Sequence, residues 1–379
     1  MKILQVITGL PKAAGTTVFL ENVVRELRAA GADIDVFTCA SRQDELEREI
    51  RAAGAVHIHG LWSPLLHRAS ALARKHHVPV VWSTHGMTAP WSLKHKWWKK
   101  CLAWWLYQKR DLKSAAAIHC TTDLEVDWNR KLGFRNCFVA PLGTELKESP
   151  KAEVHGAERG SGLKVLFVGR IYPVKGLMNV VRAAALVKGS GRETASPLKF
   201  RIVGPDQAGH LAELQAEARR LDVAEMFDWA GPKYGDELAA EYDACDLLIL
   251  NSFTENFGGV VVDALAHGKP VIASRFTPWE ELERTGCGWW IDNAPESVAA
   301  TLRKIIEQSK DRTLLSEMGA RGRKLVEEKY QWSAVARMLR KEYGVEGVEK
   351  VERVEKVEGV EGVERVERVE KVERVERRE

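Results

Sequence analysis

Cysteine is scarce in this sequence, with six among 379 residues. They stand apart at Cys39, Cys101, Cys120, Cys137, Cys245 and Cys287. No Cys-x-x-Cys pair exists, so neither zinc nor a disulfide framework is indicated, and a reducing cytoplasm suits the pattern. Long apolar runs are also missing. No stretch reaches the ~18 consecutive apolar residues of a spanning helix, and Met1–Ile7 is too brief for the apolar region of a secretory leader. Charge of one sign is not in excess. The formal net charge is +4, which gives no reason to expect a nucleic-acid partner. No Gly-x-Gly-x-x-Gly follows a first strand, which argues against a dinucleotide oxidoreductase.

What is present is a chain long enough for two domains, 45% hydrophobic and 29% charged, with the grammar of an α/β protein. Short β-type runs alternate with longer helical patterns. Strands are expected at Lys2 to Ile7, Ile34 to Thr38, Ala55 to His59, Pro79 to Ser83, Ala116 to Cys120 and Cys137 to Ala140. A first helix is expected from about Thr17 to Ala30. Pro150 to Gly162 is polar and suits a linker. The pattern then restarts, with strands at Val165 to Val168, Phe200 to Val203, Leu247 to Leu250 and Pro270 to Ser274. The expected organisation is therefore two Rossmann-like α/β/α domains, 1–160 and 161–332, facing across a cleft. A helix at 333–343 and a tail at 344–379 follow.

The tail repeats Val-Glu-x. A period of three fits neither a strand nor a helix, so its valines make no single face. Glu349 before Arg353 and Glu370 before Arg374 favour helix by ~0.3 kcal/mol each, while glycines and β-branched valines oppose it. The expectation is a frayed helix or disorder, without function.

Two segments concentrate chemistry. Val168-Gly169-Arg170-Ile171-Tyr172-Pro173-Val174-Lys175-Gly176 follows a strand and precedes a helix, where open α/β sheets bind ligands. Arg170 and Lys175 could wrap a diphosphate, the first as a fork and the second as a point charge. A solvated basic loop would look the same. The second segment, from Asn251 to Gly268, also follows a strand. It places Glu255 just before a helix and Asp263 two turns into it. Gly258 and Gly259 would expose backbone N–H groups at the helix start, an anion site. Glu255 could accept bonds from sugar hydroxyls and Asp263 from a ribose diol.

Both segments resemble the retaining glycosyltransferases of family 4, which have the GT-B fold. That family carries a Gly-Arg-x4-Lys-Gly loop and a Glu-x7-Glu motif, and the similarity runs from Met1 to about Tyr343. Gly204-Pro205 and Gly286-Cys287-Gly288-Trp289 agree with it. Asp263 departs from it, standing where Glu is usual. Leu142 in Pro141-Leu142-Gly143-Thr144-Glu145 departs from the family's crossover, and no role is carried to that segment.

The resemblance implies a role for each matching position. Arg170 and Lys175 would hold the donor diphosphate, Glu255 the donor sugar and Asp263 the ribose. Gly169, Gly204, Phe257, Gly258 and Gly259 would shape the donor site, with Gly15 and Thr16 beneath its phosphates. His85, in Ser83-Thr84-His85-Gly86, would lie near donor sugar and acceptor. Apart from the resemblance, His59 and Trp62 at another strand end could line the acceptor side or equally serve packing.

The implied reaction is retaining transfer from a UDP- or GDP-sugar to a saccharide or lipid-linked acceptor, in cell-surface polysaccharide synthesis. The leaving phosphate would take the acceptor's proton on the front face, with the cleft closing around the substrates. No cofactor and no metal are implied, since no Asp-x-Asp stands at a cleft-facing strand end. A nucleotide-sugar epimerase or a phosphorylase on the same fold, or a catalytically weak sugar-nucleotide binder, remain alternatives.

Trp91 to Lys113 interleaves Trp97, Trp98, Trp104, Trp105 and Tyr107 with Lys94, Lys96, Lys99, Lys100, Lys109 and Arg110. Such a segment could lie on the anionic inner face of the plasma membrane, or bury its aromatics beneath solvated lysines.

Overall fold

The computed structural model describes residues 1–10, 15–94, 96–146, 162–189, 198–308 and 313–344. Nearly all of the linker expected at Pro150–Gly162 and nearly all of the repeat tail lie outside these residues.

Among the described residues, twelve strands are arranged in two sheets of six. The first holds β1 (Lys2–Ile7), β2 (Asp33–Phe37), β3 (Ala55–His59), β4 (Val80–Ser83), β5 (Ala117–Cys120) and β6 (Cys137–Val139). The second holds β7 (Leu163–Val168), β8 (Leu198–Val203), β9 (Phe227–Gly231), β10 (Leu247–Leu250), β11 (Val271–Ser274) and β12 (Gly288–Ile291). Every pairing is parallel. The central strands of the second sheet are largely apolar on both faces, as suits helix-covered parallel strands, whereas β1, β3, β4 and β5 of the first sheet also bury Gln5, His57, His59, Ser83 and His119. Leu-Leu-Ile-Leu in β10 and Val-Ile-Ala-Ser in β11 are fully buried.

The strand orders are β2-β1-β3-β4-β5-β6 and β12-β11-β10-β7-β8-β9. Each reverses direction once, between β1 and β3 and between β7 and β10. Loops leaving the carboxyl ends of the strands diverge at such a reversal and open a crevice. In the second sheet those two loops are the Arg170–Lys175 segment and the Glu255 segment, so the two motifs found in the sequence flank one crevice.

The sequence pattern missed β9 and β12. Both are edge strands, only partly covered, and each holds a glycine among aromatics, Phe-Asp-Trp-Ala-Gly and Gly-Trp-Trp-Ile. An edge strand needs no continuous apolar run, so hydrophobicity marks it weakly.

The helix Trp332–Glu342 leaves the second half and packs on the first. Its Trp332, Val335, Ala336 and Leu339 share one buried cluster with Phe19, Leu20, Val23 and Leu27 of the helix Gly15–Ala29. Burying each Leu or Val contributes roughly 1.5–3 kcal/mol, which fastens the end of the described chain to its beginning. The outgoing segment meets it there. Thr144 N donates to the Tyr330 carbonyl at 2.8 Å, and a Cβ on Gly143 would fall 2.6 Å from the Trp332 ring.

Candidate active site

The loop after β7 turns through a short 3-10 segment, Pro173–Lys175, and ends on Gly176 at φ 68°. Only glycine fits there. A Cβ would lie 2.1 Å from the Asn251 carbonyl oxygen, so the two motif loops are pressed together backbone to backbone. Gly204 plays the same part beside Gly169, whose carbonyl oxygen would meet a Cβ at 1.8 Å.

This packing brings Lys175 to Glu255. Nζ and Oε2 are 2.7 Å apart, and the side chains are 15% and 17% exposed. A pair this enclosed is poorly screened by water. It holds a cation ready for an anionic ligand, which would have to compete with Glu255. Arg170 is not drawn into that pair. Its exposed guanidinium donates to the neutral Gln207 side chain at 2.7 Å.

The helix Gly259–Ala266 starts from Gly258 at φ 83°. Asp263 therefore lies about one turn into it, not two. Its carboxylate accepts from Thr144 Oγ at 2.7 Å. Burial pushes Asp263 up to about 6, opposed by the Thr144 hydrogen bond. Thr144 belongs to the crossover segment to which the sequence assigned no role. Phe257 was expected at the donor. Its ring is 4% exposed and packs on Trp279 and Tyr330, so it supports the loop from beneath.

From the first half comes the turn Thr84-His85-Gly86 after β4. His85 sits at φ 48° and Gly86 at φ 73°, a left-handed pair that costs energy at a non-glycine residue. Glu125 holds the turn. One carboxylate oxygen accepts from Thr84 Oγ at 2.6 Å and Gly86 N at 2.5 Å, and the other accepts from Thr121 N at 2.7 Å. Glu125, which is fully buried, was not among the residues singled out by pattern. The halves meet beside this turn. Asn256, next to Glu255, donates to Thr121 Oγ at 2.9 Å, and a Cβ on Gly86 would fall 2.8 Å from its side chain. His85 and the Glu255 loop are thus neighbours.

The remaining expected residues are placed less directly. Gly15 opens the first helix with clear space around it, and Thr16 follows, partly exposed; residues 11–14 of the preceding loop, Ala14 included, are outside the described residues. His59 does not line an open pocket. It is 2% exposed, and both ring nitrogens are engaged, with Gln5 at 2.7 Å and His85 at 3.1 Å. Trp62 is half-buried with its ring 6.3 Å from that of Trp104.

Comparison with known proteins agrees with this architecture. The family described as "Glycosyl transferases group 1" matches residues 151–324, and the "Glycosyl transferase 4-like domain" matches residues 46–143. The chain belongs to the group 1 glycosyltransferases. It is 26% identical over 326 residues to the D-inositol 3-phosphate glycosyltransferase of Acidothermus cellulolyticus, covering 71% of this chain and 72% of that one. It is 34% identical over 141 residues to D-inositol 3-phosphate glycosyltransferase 2 of Catenulispora acidiphila. That match spans 35% of this chain and about a third, 33%, of that relative's length. The crystal structure of Anabaena HepE in complex with UDP superposes with a TM-score of 0.70 at 16% identity, covering 89% of this chain and 98% of that one. The glycosyltransferase therefore has the GT-B fold, two parallel sheets with helices.

The Trp-Lys segment divides by face on this glycosyltransferase. Trp104 packs on Phe134 and Tyr107 on His67. Trp97, Trp98, Leu102, Trp105 and Leu106 point outward, with Trp105 76% exposed. Lys99 lies over the Trp98 ring and Lys109 over Trp105, 5.1 and 5.0 Å from the ring centres. Among the described residues, no helix is long and apolar enough to cross a membrane.

Proposed function

We propose that this chain transfers a sugar from a nucleotide-diphosphate donor to a saccharide or lipid-linked saccharide, with retention at the anomeric carbon and without a metal. The observation that carries the reading is the enclosed Lys175–Glu255 pair at the reversal of the second sheet, with the His85 turn of the other half close by. In this reading the donor diphosphate displaces Glu255 from Lys175 and draws Arg170 from Gln207. Both cations then stabilise charge growing on the leaving phosphate. Glu255, released, accepts from donor-sugar hydroxyls, and Asp263 accepts from the ribose. The departing phosphate oxygen takes the acceptor's proton on the face it leaves. UDP, the ligand of the HepE structure, favours a UDP-linked donor. The outward Trp and Lys side chains suit an acceptor held at an anionic lipid surface, such as an inner membrane face where cell-surface polysaccharide is built.

The test is transfer from labelled UDP- and GDP-sugars to saccharide and lipid-linked acceptors, with the product's anomeric configuration read by NMR. Retention is expected, unaffected by EDTA. Lys175→Ala should lower turnover by about 10²–10³, the scale of one lost oxyanion donor. An inverted product, or a Lys175→Ala protein as fast as the parent, overturns the reading. Donor binding without turnover would favour a sugar-nucleotide-binding role.

A further inference from the structure

Beneath His85 lies a chain of buried polar side chains that the transfer chemistry does not use. It runs through β1, β3, β4 and β5 on the sheet face covered by the first helix and by the helix Trp332–Glu342. Gln5, His57, His59, Ser83, His119 and Tyr343 are all at most 4% exposed. Phe19 seals it, with its ring stacked 5.2 Å from His119 and edge-on 5.7 Å from His85.

The direction of every bond in this chain follows from one fixed end. His119 Nε2 lies 2.7 Å from the Ala140 carbonyl oxygen, which can only accept, so Nε2 carries the proton. Burial keeps these imidazoles neutral, reinforced at His57 and His59 by repulsion from neighbouring histidines. Nδ1 of His119 then accepts from the Ser83 hydroxyl at 2.6 Å. Ser83, its proton committed, accepts from His57 Nε2 at 2.6 Å. His57 Nδ1 accepts from the Tyr343 hydroxyl at 2.5 Å. Tyr343 accepts from Gln5 Nε2 at 3.4 Å, and Gln5 Oε1 accepts from His59 Nε2 at 2.7 Å. His59 Nδ1 is left to accept from His85 Nε2 at 3.1 Å.

We infer that this relay locks His85 in its Nε2–H tautomer, so that the cleft receives Nδ1 as a hydrogen-bond acceptor, and that Tyr343 and Ser83 are positioning residues for it. His85 is the one ring of the relay that is partly exposed, and its Nδ1 has no protein partner among the described residues. A bare imidazole nitrogen there selects a ligand hydroxyl, which donates, and rejects a phosphate or carboxylate oxygen, which cannot. The inference rests on the proposed transfer reaction only for the identity of that hydroxyl, on donor sugar or acceptor.

The test reads the tautomer itself. Long-range proton–nitrogen NMR of the ligand-free protein should show His85 protonated at Nε2 and bare at Nδ1. Tyr343→Phe removes the hydroxyl that hands direction from His57 to Gln5, and Ser83→Ala removes the link to the fixed carbonyl. Each should give a mixture of His85 tautomers. Each should also lower kcat by roughly tenfold with the donor KM little changed, and the double variant should lose no more than either single. His85 bare at Nε2 in the parent, or a single tautomer surviving in both variants, overturns the inference. The tautomer is read without substrate, so a protein that transfers no sugar would sink the functional proposal while leaving this one standing.

Discussion

Asp263 is a candidate-site carboxyl whose charge depends on pH near the working range. Its carboxyl is pushed up to about 6 by burial, and in the proposed reaction it must be ionised to accept two ribose hydroxyls. Protonation below that value removes one acceptor position. Affinity for a UDP-sugar should therefore rise as the pH climbs through about 6 and level off above it. A sugar nucleotide is the right probe because its diphosphate does not titrate there. Asp263→Asn should bind more weakly with little pH dependence. Thr144→Val should move the midpoint upward, because the hydroxyl that favours the carboxylate is gone. Calorimetry across that range checks both, and a parent whose affinity is flat through about pH 6 contradicts the ribose assignment. Sequence pattern pointed to Asp263, but not to its partner. Thr144 is 119 residues away, and a threonine in a loop carries no periodic or charge signal. Glu125 was hidden for a related reason. Its position three residues after Thr122 suits a helix N-terminus, and nothing local says that its carboxylate reaches across to Gly86.

Legibility at the level of elements followed burial. Strands enclosed by helices, such as β10 and β11, stand out as short apolar runs, and their ranges are plain from residue type alone. The half-exposed edge strands β9 and β12 are not. The polar relay is the extreme case: Gln5 and Tyr343 are 338 residues apart, and each strand gives it only one or two side chains. Alternating His57 and His59 were visible, but their inward face was not. The Trp-Lys segment was ambiguous in sequence because basic and aromatic residues serve a buried helix and a surface one equally. The structure assigns Trp104 to packing and Trp105 to the outside. If that outer face meets an anionic bilayer, the protein should float with vesicles rich in phosphatidylserine. Trp97→Ser with Trp105→Ser should abolish flotation. Lys96→Glu with Lys99→Glu should weaken it by about 1 kcal/mol or more per side chain. Equal flotation of parent and variants, or flotation of none, removes the membrane reading.

For the whole molecule, four neutral histidines in one core tie stability to pH. His57, His59 and His119 are held below the usual histidine range by burial, and His85 is lowered to about 3. A lowered histidine stabilises the fold fully above its unfolded value of about 6.5. As the pH falls below that value, the unfolded chain takes up protons that the folded core refuses. Each histidine then withdraws about 1.4 kcal/mol per pH unit until its folded value is reached. Asp263 acts in the opposite sense. Its raised carboxyl stabilises the fold most below its ordinary 3.8, and that contribution is lost as the pH rises toward about 6, so a single group partly offsets the histidines. Urea unfolding should show stability dropping steeply between about pH 6.5 and about pH 5, and an unchanged midpoint over that interval would mean that these rings are open to water.

The two passages of chain between the halves run alongside each other, Thr144 on the outgoing one bonded to Tyr330 and bridged to Gln331 on the return. Joined in this way, they would act as a double pivot, on which the halves could swing more readily than slide. Asp263, bonded to Thr144 within the pivot, would stay nearly still through such a swing. An opening swing would have to break the contacts of Asn256 with Thr121 and Thr122.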